Sequence, residues 1–93
     1  MAKRLIVGLG NPGAEYDGTP HNIGFVIADA LAEKTRVEVR RQRDEALFGW
    51  GRWRRDELGV AKPQTWMNRS GLAVEALSRR FKIEPADMLV VLD

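Results

Sequence analysis

The sequence has no cysteine and a single histidine, His21. Without cysteine the chain forms no disulfide and offers no thiolate nucleophile or thiolate metal site, and one histidine argues against a zinc centre. No apolar run approaches the roughly 20 residues of a membrane-spanning helix, and residues 1–10 lack the apolar stretch and cleavage site of a signal peptide. These absences predict a cytoplasmic protein that binds neither a metal nor a membrane.

The basic residues are clustered, although the formal net charge is only +2. The 93 residues suit a single domain, and contents of 44% apolar and 30% charged residues are those of a globular protein. Clustered arginines can neutralise phosphates in nucleic acids, but they are also common on solvated helices and strands. The clusters comprise Arg40, Arg41 and Arg43, then Arg52, Arg54 and Arg55, and later Arg69, Arg79, Arg80 and Lys82.

Several short apolar segments are typical of strands. Lys3–Gly8 and Met88–Leu92 are mostly apolar, as in strands that are buried on both faces. Phe48–Trp53 and Leu58–Lys62 are separated by the turn "RRDE" and predict a hairpin. Val37–Val39 fits either a short edge strand or an extended connection.

Two stretches have apolar residues at helical spacing. In the first, Thr19 suits the N-cap and Pro20 the first helical position, so that His21 falls in the first turn; the helix should end near Lys34. Its predicted buried stripe consists of Ile23, Val26, Ile27, Ala30 and Leu31. The second helix follows "TWMNRSG", with a stripe formed by Leu72, Ala73, Ala76, Leu77 and Phe81. After it, "EPAD" predicts a turn or a single helical turn.

The order β-α-(β)-ββ-α-β predicts an α/β fold with a mixed, mostly parallel open sheet and flanking helices. Strands that are joined through a helix run parallel. The first strand, Leu58–Lys62 and Met88–Leu92 should therefore share one direction, and Phe48–Trp53 should run against them.

Polar side chains follow the ends of the parallel strands, where ligands bind in open α/β sheets. Asn11 follows the first strand, Asn68 the second parallel strand and Asp93 the last, while His21 begins the helix at that same edge. A neutral imidazole is a general base near pH 7, a carboxylate fixes its tautomer, and amides stabilise an oxyanion. These residues together predict a hydrolase, in which His21 activates a water molecule that attacks an ester or an amide.

Each of these residues also has a purely structural explanation. His21 could be a surface or capping residue, and Asn11 could simply serve the Asn-Pro-Gly turn. Asn68 could cap the second helix, and Asp93 could be a solvated strand end. Tyr16 is equally compatible with a rim or core aromatic. Only their joint placement at one edge favours a functional site.

The segment "GLGNPG" matches the dinucleotide-binding pattern G-x-G-x-x-G at Gly8, Gly10 and Gly13. That fingerprint requires a helix that begins within the glycine run, so that its N-terminus meets the pyrophosphate. Here the helix is expected only near Pro20, and Asp29 lies inside it rather than after a second strand. A nucleotide-binding domain is therefore the less favoured alternative.

The segments "LIVGLGNPG", "Y-x-x-T-x-HN-x-G" and "WMN-x-SG" together resemble the bacterial-type peptidyl-tRNA hydrolases, and the resemblance runs from Arg4 to Asp93. It implies a phosphorylase/hydrolase-like three-layer α/β/α fold, truncated here, in a monomer without metal or cofactor. It also implies cleavage of the ester between peptide and tRNA, which frees stalled peptides and recycles tRNA. In this resemblance His21 is the base that activates water, and Asp93 is the carboxylate that orients it. The residues implied to bind substrate are Asn11, Tyr16, Met67 and Asn68.

Members of that family are considerably longer than this chain. Residues 1–93 are thus expected to form the N-terminal part of a hydrolase-like domain or an atypical short form. We expect weak or no hydrolysis by the 93 residues alone. An RNA-binding module that contacts tRNA without catalysis is the alternative from another class of protein.

Overall fold

The computed structural model describes residues 2–10, 22–43, 46–64 and 70–91. Its elements, in chain order, are β1 (Lys3–Gly8), α1 (Ile23–Thr35), β2 (Arg41–Arg43), β3 (Ala46–Trp53), β4 (Asp56–Pro63), α2 (Ser70–Phe81), a single 3₁₀ turn (Pro85–Asp87) and β5 (Met88–Val91). The helical turn predicted for "EPAD" is therefore present. None of the helices in these ranges is long and apolar enough to span a membrane.

The strands form one five-stranded sheet in the order β2-β3-β4-β1-β5. β1 lies between β4 and β5 and runs parallel to both. β3 is antiparallel to β4, and β2 is antiparallel to β3, so that every strand except β3 points in the same direction. The predicted strand directions and the mixed open sheet are confirmed.

The β3–β4 hairpin is longer than its apolar pattern indicated. Pairing begins at Trp53 and Asp56, which leaves only Arg54 and Arg55 in the turn, and it continues to Ala46 and Pro63. Charged residues next to the turn still form the backbone ladder, because a strand at a solvated end needs no apolar side chains. Apolar spacing alone therefore underestimated both strands.

The edge strand β2 lies after Val37–Val39, the segment that the sequence offered as a possible edge strand. Val37 donates its backbone N–H to the carbonyl of Ala32 at 2.9 Å and is buried against α1. Residues 37–40 are a connection, and β2 pairs only Arg41–Arg43 with β3. Of the two interpretations offered for Val37–Val39, the connection is confirmed.

Helix α1 begins later than predicted and buries a different face. Its N-cap is Asn22 instead of Thr19, which lies outside the described residues, and it ends at Thr35, close to the predicted end. The residues that it buries are Gly24, Ala28 and Ala32. The expected stripe is wrong, because four of its five members are exposed: Ile23 (41%), Val26 (52%), Ile27 (37%) and Ala30.

Two apolar clusters lie on opposite faces of the sheet. One is formed by Leu5, Val7, Ala46, Phe48, Ala61, Leu77 and Ile83, and the other by Ala28, Ala32, Val37 and Val60. Because α2 supplies Leu77 to the first cluster and α1 supplies the alanines of the second, the sheet is covered on both faces. The three-layer α/β/α arrangement is confirmed.

Helix α2 packs on the sheet through Val74, Leu77 and Phe81. The ring of Phe81 packs edge-on against Phe48 and against Trp50, with centroids 5.0 Å apart in each pair. Leu72, which was expected in the buried stripe, is 70% exposed, so this part of the prediction is wrong.

Strand β5 is not the buried strand that its sequence indicated. Leu89 is 58% and Val90 38% exposed. β5 is the last strand in the sheet order, so within the described ranges only one of its edges is paired. Apolar side chains of β5 are therefore exposed to solvent, and within the described ranges its second edge has no neighbouring strand.

Candidate active site

Three parallel strands end side by side at one edge of the sheet. Gly8, at the end of β1, is in register with Val91, at the end of β5, and β4 continues beyond its pairing of Ala61 with Val7 as far as Pro63. Neighbouring strands lie about 4.8 Å apart, so the three ends fall within about 10 Å of one another. This is the edge at which ligands bind in open α/β sheets.

The N-terminus of α1 packs directly onto this edge. The backbone N–H of Leu9 donates to the carbonyl of Val91 at 2.8 Å, which ties the segment after β1 to the end of β5. A Cβ atom placed on Gly24 would lie 2.2 Å from the carbonyl oxygen of Leu9 and 2.5 Å from that of Val91. Backbone from β1, β5 and α1 thus meets at one junction.

Asn22, at the start of α1, is buried beside the segment that follows β1. It is only 3% exposed, and a Cβ atom on Gly10 would lie 2.9 Å from its Oδ1 atom and 2.9 Å from the ring of Phe25. Gly10 must therefore remain without a side chain if Asn22 and Phe25 are to hold these positions. The motif "HN-x-G" supplies both Asn22 and Gly24, and sequence reasoning had assigned a role to neither.

On the β4 side, the helix is fixed by an ion pair. Lys62 Nζ, near the end of β4, donates to both carboxylate oxygens of Asp29, at 2.9 and 3.1 Å, and lies 5.3 Å from the ring centroid of Phe25. The Lys62 side chain is only 17% exposed, so water screens this contact less than it would a fully solvated pair. Gln64 Nε2 then donates to the carbonyl of Lys62 at 3.0 Å. These contacts set the orientation of α1 against β4 at the edge.

The six residues predicted for the site lie outside the described ranges, and their side-chain roles remain predictions. They are Asn11, Tyr16, His21, Met67, Asn68 and Asp93. Described residues on either side of the segments that contain them include Gly10, Asn22, Gln64 and Val91, and these four lie at the same edge of the sheet.

Metal-binding clusters and a separate groove are the other features that bear on a possible site. Among the described residues no group of three or more His, Cys, Asp or Glu side chains is placed to hold a metal ion. A groove of about 670 Å³ opens at the other end of the parallel strands, where Arg4, Asp56 and Asp87 lie on its lining. The groove is remote from the candidate active site.

The fold is that of an open-sheet α/β protein, a class in which ligands bind where the parallel strands end. Residues 5–93 match the family model described as peptidyl-tRNA hydrolase, and the chain belongs to that family. In the described part of the glycine run, residues 8–10 are not helical, and Gly8 packs against α1, whose first residue is Ile23.

Individual relatives agree with the family assignment. A peptidyl-tRNA hydrolase of Desulforudis audaxviator is 52% identical over 90 residues, covering 97% of this chain and 46% of the relative. One of Halalkalibacterium halodurans is 46% identical over 90 residues, covering 97% of this chain and 49% of the relative. The crystal structure of peptidyl-tRNA hydrolase from Acinetobacter baumannii superposes with a TM-score of 0.92 at 37% identity, over 97% of this chain and 46% of that one. The chain spans about half the length of the curated relatives that it matches.

Proposed function

We propose that this chain carries the hydrolytic residues of an esterase that cleaves peptidyl-tRNA into free peptide and tRNA. The observation that supports this most directly is the junction of Leu9, Gly24 and Val91, which brings the end of β1, the end of β5 and the start of α1 to one edge. Each proposed hydrolytic residue directly adjoins, or lies two residues from, a described residue of that edge. Relatives with the name peptidyl-tRNA hydrolase supply the substrate class.

The proposed reaction needs no group beyond the chain, the substrate and water. His21 removes a proton from water while the oxygen attacks the ester carbonyl carbon, and a tetrahedral oxyanion forms. The carboxylate of Asp93 accepts a hydrogen bond from the other ring nitrogen and stabilises the imidazolium. The intermediate collapses, the bond to the 3′ oxygen of the ribose breaks, and the imidazolium returns its proton to that oxygen.

The substrate is held by neutral groups in this proposal. The side-chain amides of Asn11 and Asn68 donate hydrogen bonds to the peptide and to the developing oxyanion without titrating. Tyr16 and Met67, which also occur in the motifs that resemble the family, are the further residues proposed to bind substrate. Buried Asn22 has a supporting role, because it holds the start of α1 against Gly10.

The test is His21→Ala in a single-turnover assay with N-acetyl-aminoacyl-tRNA and excess protein, which makes slow cleavage measurable. We expect the rate of ester cleavage to fall by about 10²–10⁴-fold, while the affinity for uncharged tRNA in a filter-binding assay is unchanged. Gln42→Ala is the control, because Gln42 is exposed on β2 at the far side of the sheet. If the wild type and His21→Ala cleave the ester at the same measurable rate, His21 is not the general base.

A second candidate function is tRNA binding without catalysis. It is favoured by the exposed arginines in the β3–β4 turn and near the end of α2, since a charged surface binds RNA whether or not a catalytic site is present. Tight binding of tRNA with no cleavage by the wild-type chain in the same assay would support this candidate over the esterase.

A further inference from the structure

The turn of the β3–β4 hairpin carries a tryptophan among three arginines. Trp53, the last paired residue of β3, is 39% exposed. Arg52 before it, and Arg54 and Arg55 after it, are exposed as well. We call these four residues, Arg52–Arg55, the hairpin tip. The tip presents a flat apolar ring and positive charge at the same place on the surface.

The ring of Trp53 and the guanidinium of Arg54 lie together in the hairpin tip. Arg54 Cζ is 5.5 Å from the centroid of the Trp53 ring, a distance that is typical of cation–π pairs. Aromatic rings and arginine guanidinium planes are the groups on which unpaired RNA bases stack. Because the two side chains are paired before a ligand arrives, less side-chain freedom is lost on binding.

The fold itself does not require an arginine at position 54. The strands pair up to Trp53 and Asp56, so the turn has two residues, and Arg54 takes the left-handed conformation with φ of 61°. Glycine, asparagine or aspartate is the usual residue at such a position, because a longer side chain is strained there. Glycine would close the turn without strain. A strained arginine at an exposed turn therefore favours a role for its side chain in binding.

Within the described ranges, the two arginines of the turn have no acidic partner. Neither Arg54 nor Arg55 forms an ion pair with another described residue. Asp56, the first acid after the turn, is engaged on the β1 side. It accepts a hydrogen bond from the backbone N–H of Ala2 at 3.0 Å and lies 3.9 Å from Nε of Arg4. The positive charge of the turn is thus available to an anionic ligand.

The hairpin tip is separate from the candidate active site. Strand β4 connects the two, since Asp56 adjoins the turn and Pro63 lies at the edge where the parallel strands end. With a rise of about 3.3 Å per residue, the distance between these two residues is about 23 Å. A ligand on the hairpin tip is therefore bound outside the proposed catalytic centre.

We propose that the hairpin tip binds an unpaired segment of RNA. One base stacks on the ring of Trp53, and the guanidinium groups of Arg54 and Arg55 donate hydrogen bonds to the flanking phosphates. The ring selects unpaired RNA, because the faces of paired bases are covered by their neighbours in the duplex. This inference takes from the proposed function only that the partner is RNA.

The first test compares Trp53→Ala with Leu72→Ala. Fluorescence anisotropy measures the affinity of each variant for a short labelled oligo(A) RNA and for an RNA duplex of the same length. We expect Trp53→Ala to weaken binding of oligo(A) by about tenfold and Trp53→Tyr to retain most of the affinity, because tyrosine also stacks on bases. Binding of the duplex should change less than twofold. Leu72→Ala removes an apolar side chain that is 70% exposed on α2 and should change neither affinity.

The second test compares Arg54→Gly with Lys82→Gly. Both residues are exposed and have positive φ, 61° and 54°, so each substitution removes one positive charge and relieves the same kind of strain. A loss of affinity therefore does not come from unfolding of the variant. We expect Arg54→Gly to weaken binding of oligo(A) by about fivefold or more and Lys82→Gly to change it less than twofold.

The proposal is overturned if the wild type does not bind oligo(A), or if Trp53→Ala weakens binding of the oligonucleotide and of the duplex equally. Equal effects of Arg54→Gly and Lys82→Gly would also contradict it. If polyglutamate binds as tightly as oligo(A) and Trp53→Ala has no effect, the hairpin tip is a site for an acidic protein instead. None of these measurements involves ester cleavage, so they can fail while the proposed function holds, and the reverse.

Discussion

At the scale of single residues, close backbone contact determines what the edge of the sheet tolerates. A Cβ atom on Gly8 would lie 2.2 Å from the carbonyl oxygen of Gly24, and one on Gly24 would meet Leu9 and Val91 at similar distances. These are backbone atoms, which cannot rotate away as the end of a side chain can. The two glycines therefore allow α1 to touch β1 directly.

Gly24→Ala should lower the free energy of unfolding by about 2 kcal/mol or more, because the added methyl group forces α1 away from the sheet. Urea denaturation followed by circular dichroism measures the change. Gly71→Ala is the matched control: nothing lies within 4 Å of its added methyl group, and it is in helix α2. That variant should raise the free energy of unfolding by about 0.5 kcal/mol. If both variants have a lower free energy of unfolding, the close contact of Gly24 with the backbone is not the cause of the destabilisation.

At this scale the sequence predicted the edge for the site but not the close contacts that form this edge. The pattern "GLGNPG" matches a phosphate-binding loop, whereas in the structure Gly8 and Gly10 lie in close contact with α1 and its N-cap. A glycine pattern reports that backbone or side chains come close, and it does not say which partner does so. Asn22 was missed for the same reason, since burial of an amide depends on segments that are distant in sequence.

At the scale of elements, the end of α1 is a strained turn. Arg36 takes the left-handed conformation, with φ of 61°, and its backbone N–H donates to the carbonyls of Ala32 and Glu33. This conformation closes helices well but costs a residue with a side chain about 1–2 kcal/mol. Val37 then bonds back to Ala32, which directs the chain toward β2.

Arg36→Gly should raise the free energy of unfolding by up to about 1 kcal/mol, because glycine adopts this conformation without steric cost. Lys34→Gly also removes one positive charge, but from inside the helix, and should lower the free energy of unfolding by about 1 kcal/mol. Thermal and urea unfolding of both variants provide the measurement. The prediction fails if the two glycine substitutions change stability in the same direction.

Helical periodicity predicted both helices but chose the wrong face of α1. The large residues Ile23, Val26 and Ile27 suggested the buried side, while the sheet contacts Gly24 and Ala28. The physical reason is that the distance between α1 and β1 is too short for large side chains. For α2, Leu77 was placed correctly, since this helix is attached through larger side chains.

At the scale of the whole molecule, positive charge is spread over several exposed elements. The exposed basic residues include Arg40 and Arg41 before and in β2, Arg52, Arg54 and Arg55 at the hairpin, and Arg79, Arg80 and Lys82 at the end of α2. Some of these charges are compensated nearby, as in the pairs of Arg40 with Glu38 and of Arg79 with Glu75. An extended polyanion such as tRNA could still contact more than one cluster.

Binding of tRNA should weaken steeply with salt if these clusters engage phosphates. With about three phosphates neutralised, the logarithm of the association constant should fall with a slope of about −2 to −3 against the logarithm of the salt concentration. Filter binding between 50 and 200 mM KCl measures the slope, and poly(A) of equal length provides the comparison for non-specific contacts. A nearly flat dependence would show that phosphates contribute little.

The sequence by itself determined the order of the elements, the directions of the strands and the edge at which polar residues follow them. These follow from local periodicity and from the geometry of strand–helix–strand connections. Its three motifs pointed to the family that residues 5–93 match. Only the tertiary structure decided that α1 buries Gly24 and Ala28 and that β5 leaves Leu89 exposed. Burial depends on how closely distant segments approach and on which neighbours are present, and neither is encoded in the spacing of apolar residues along one segment.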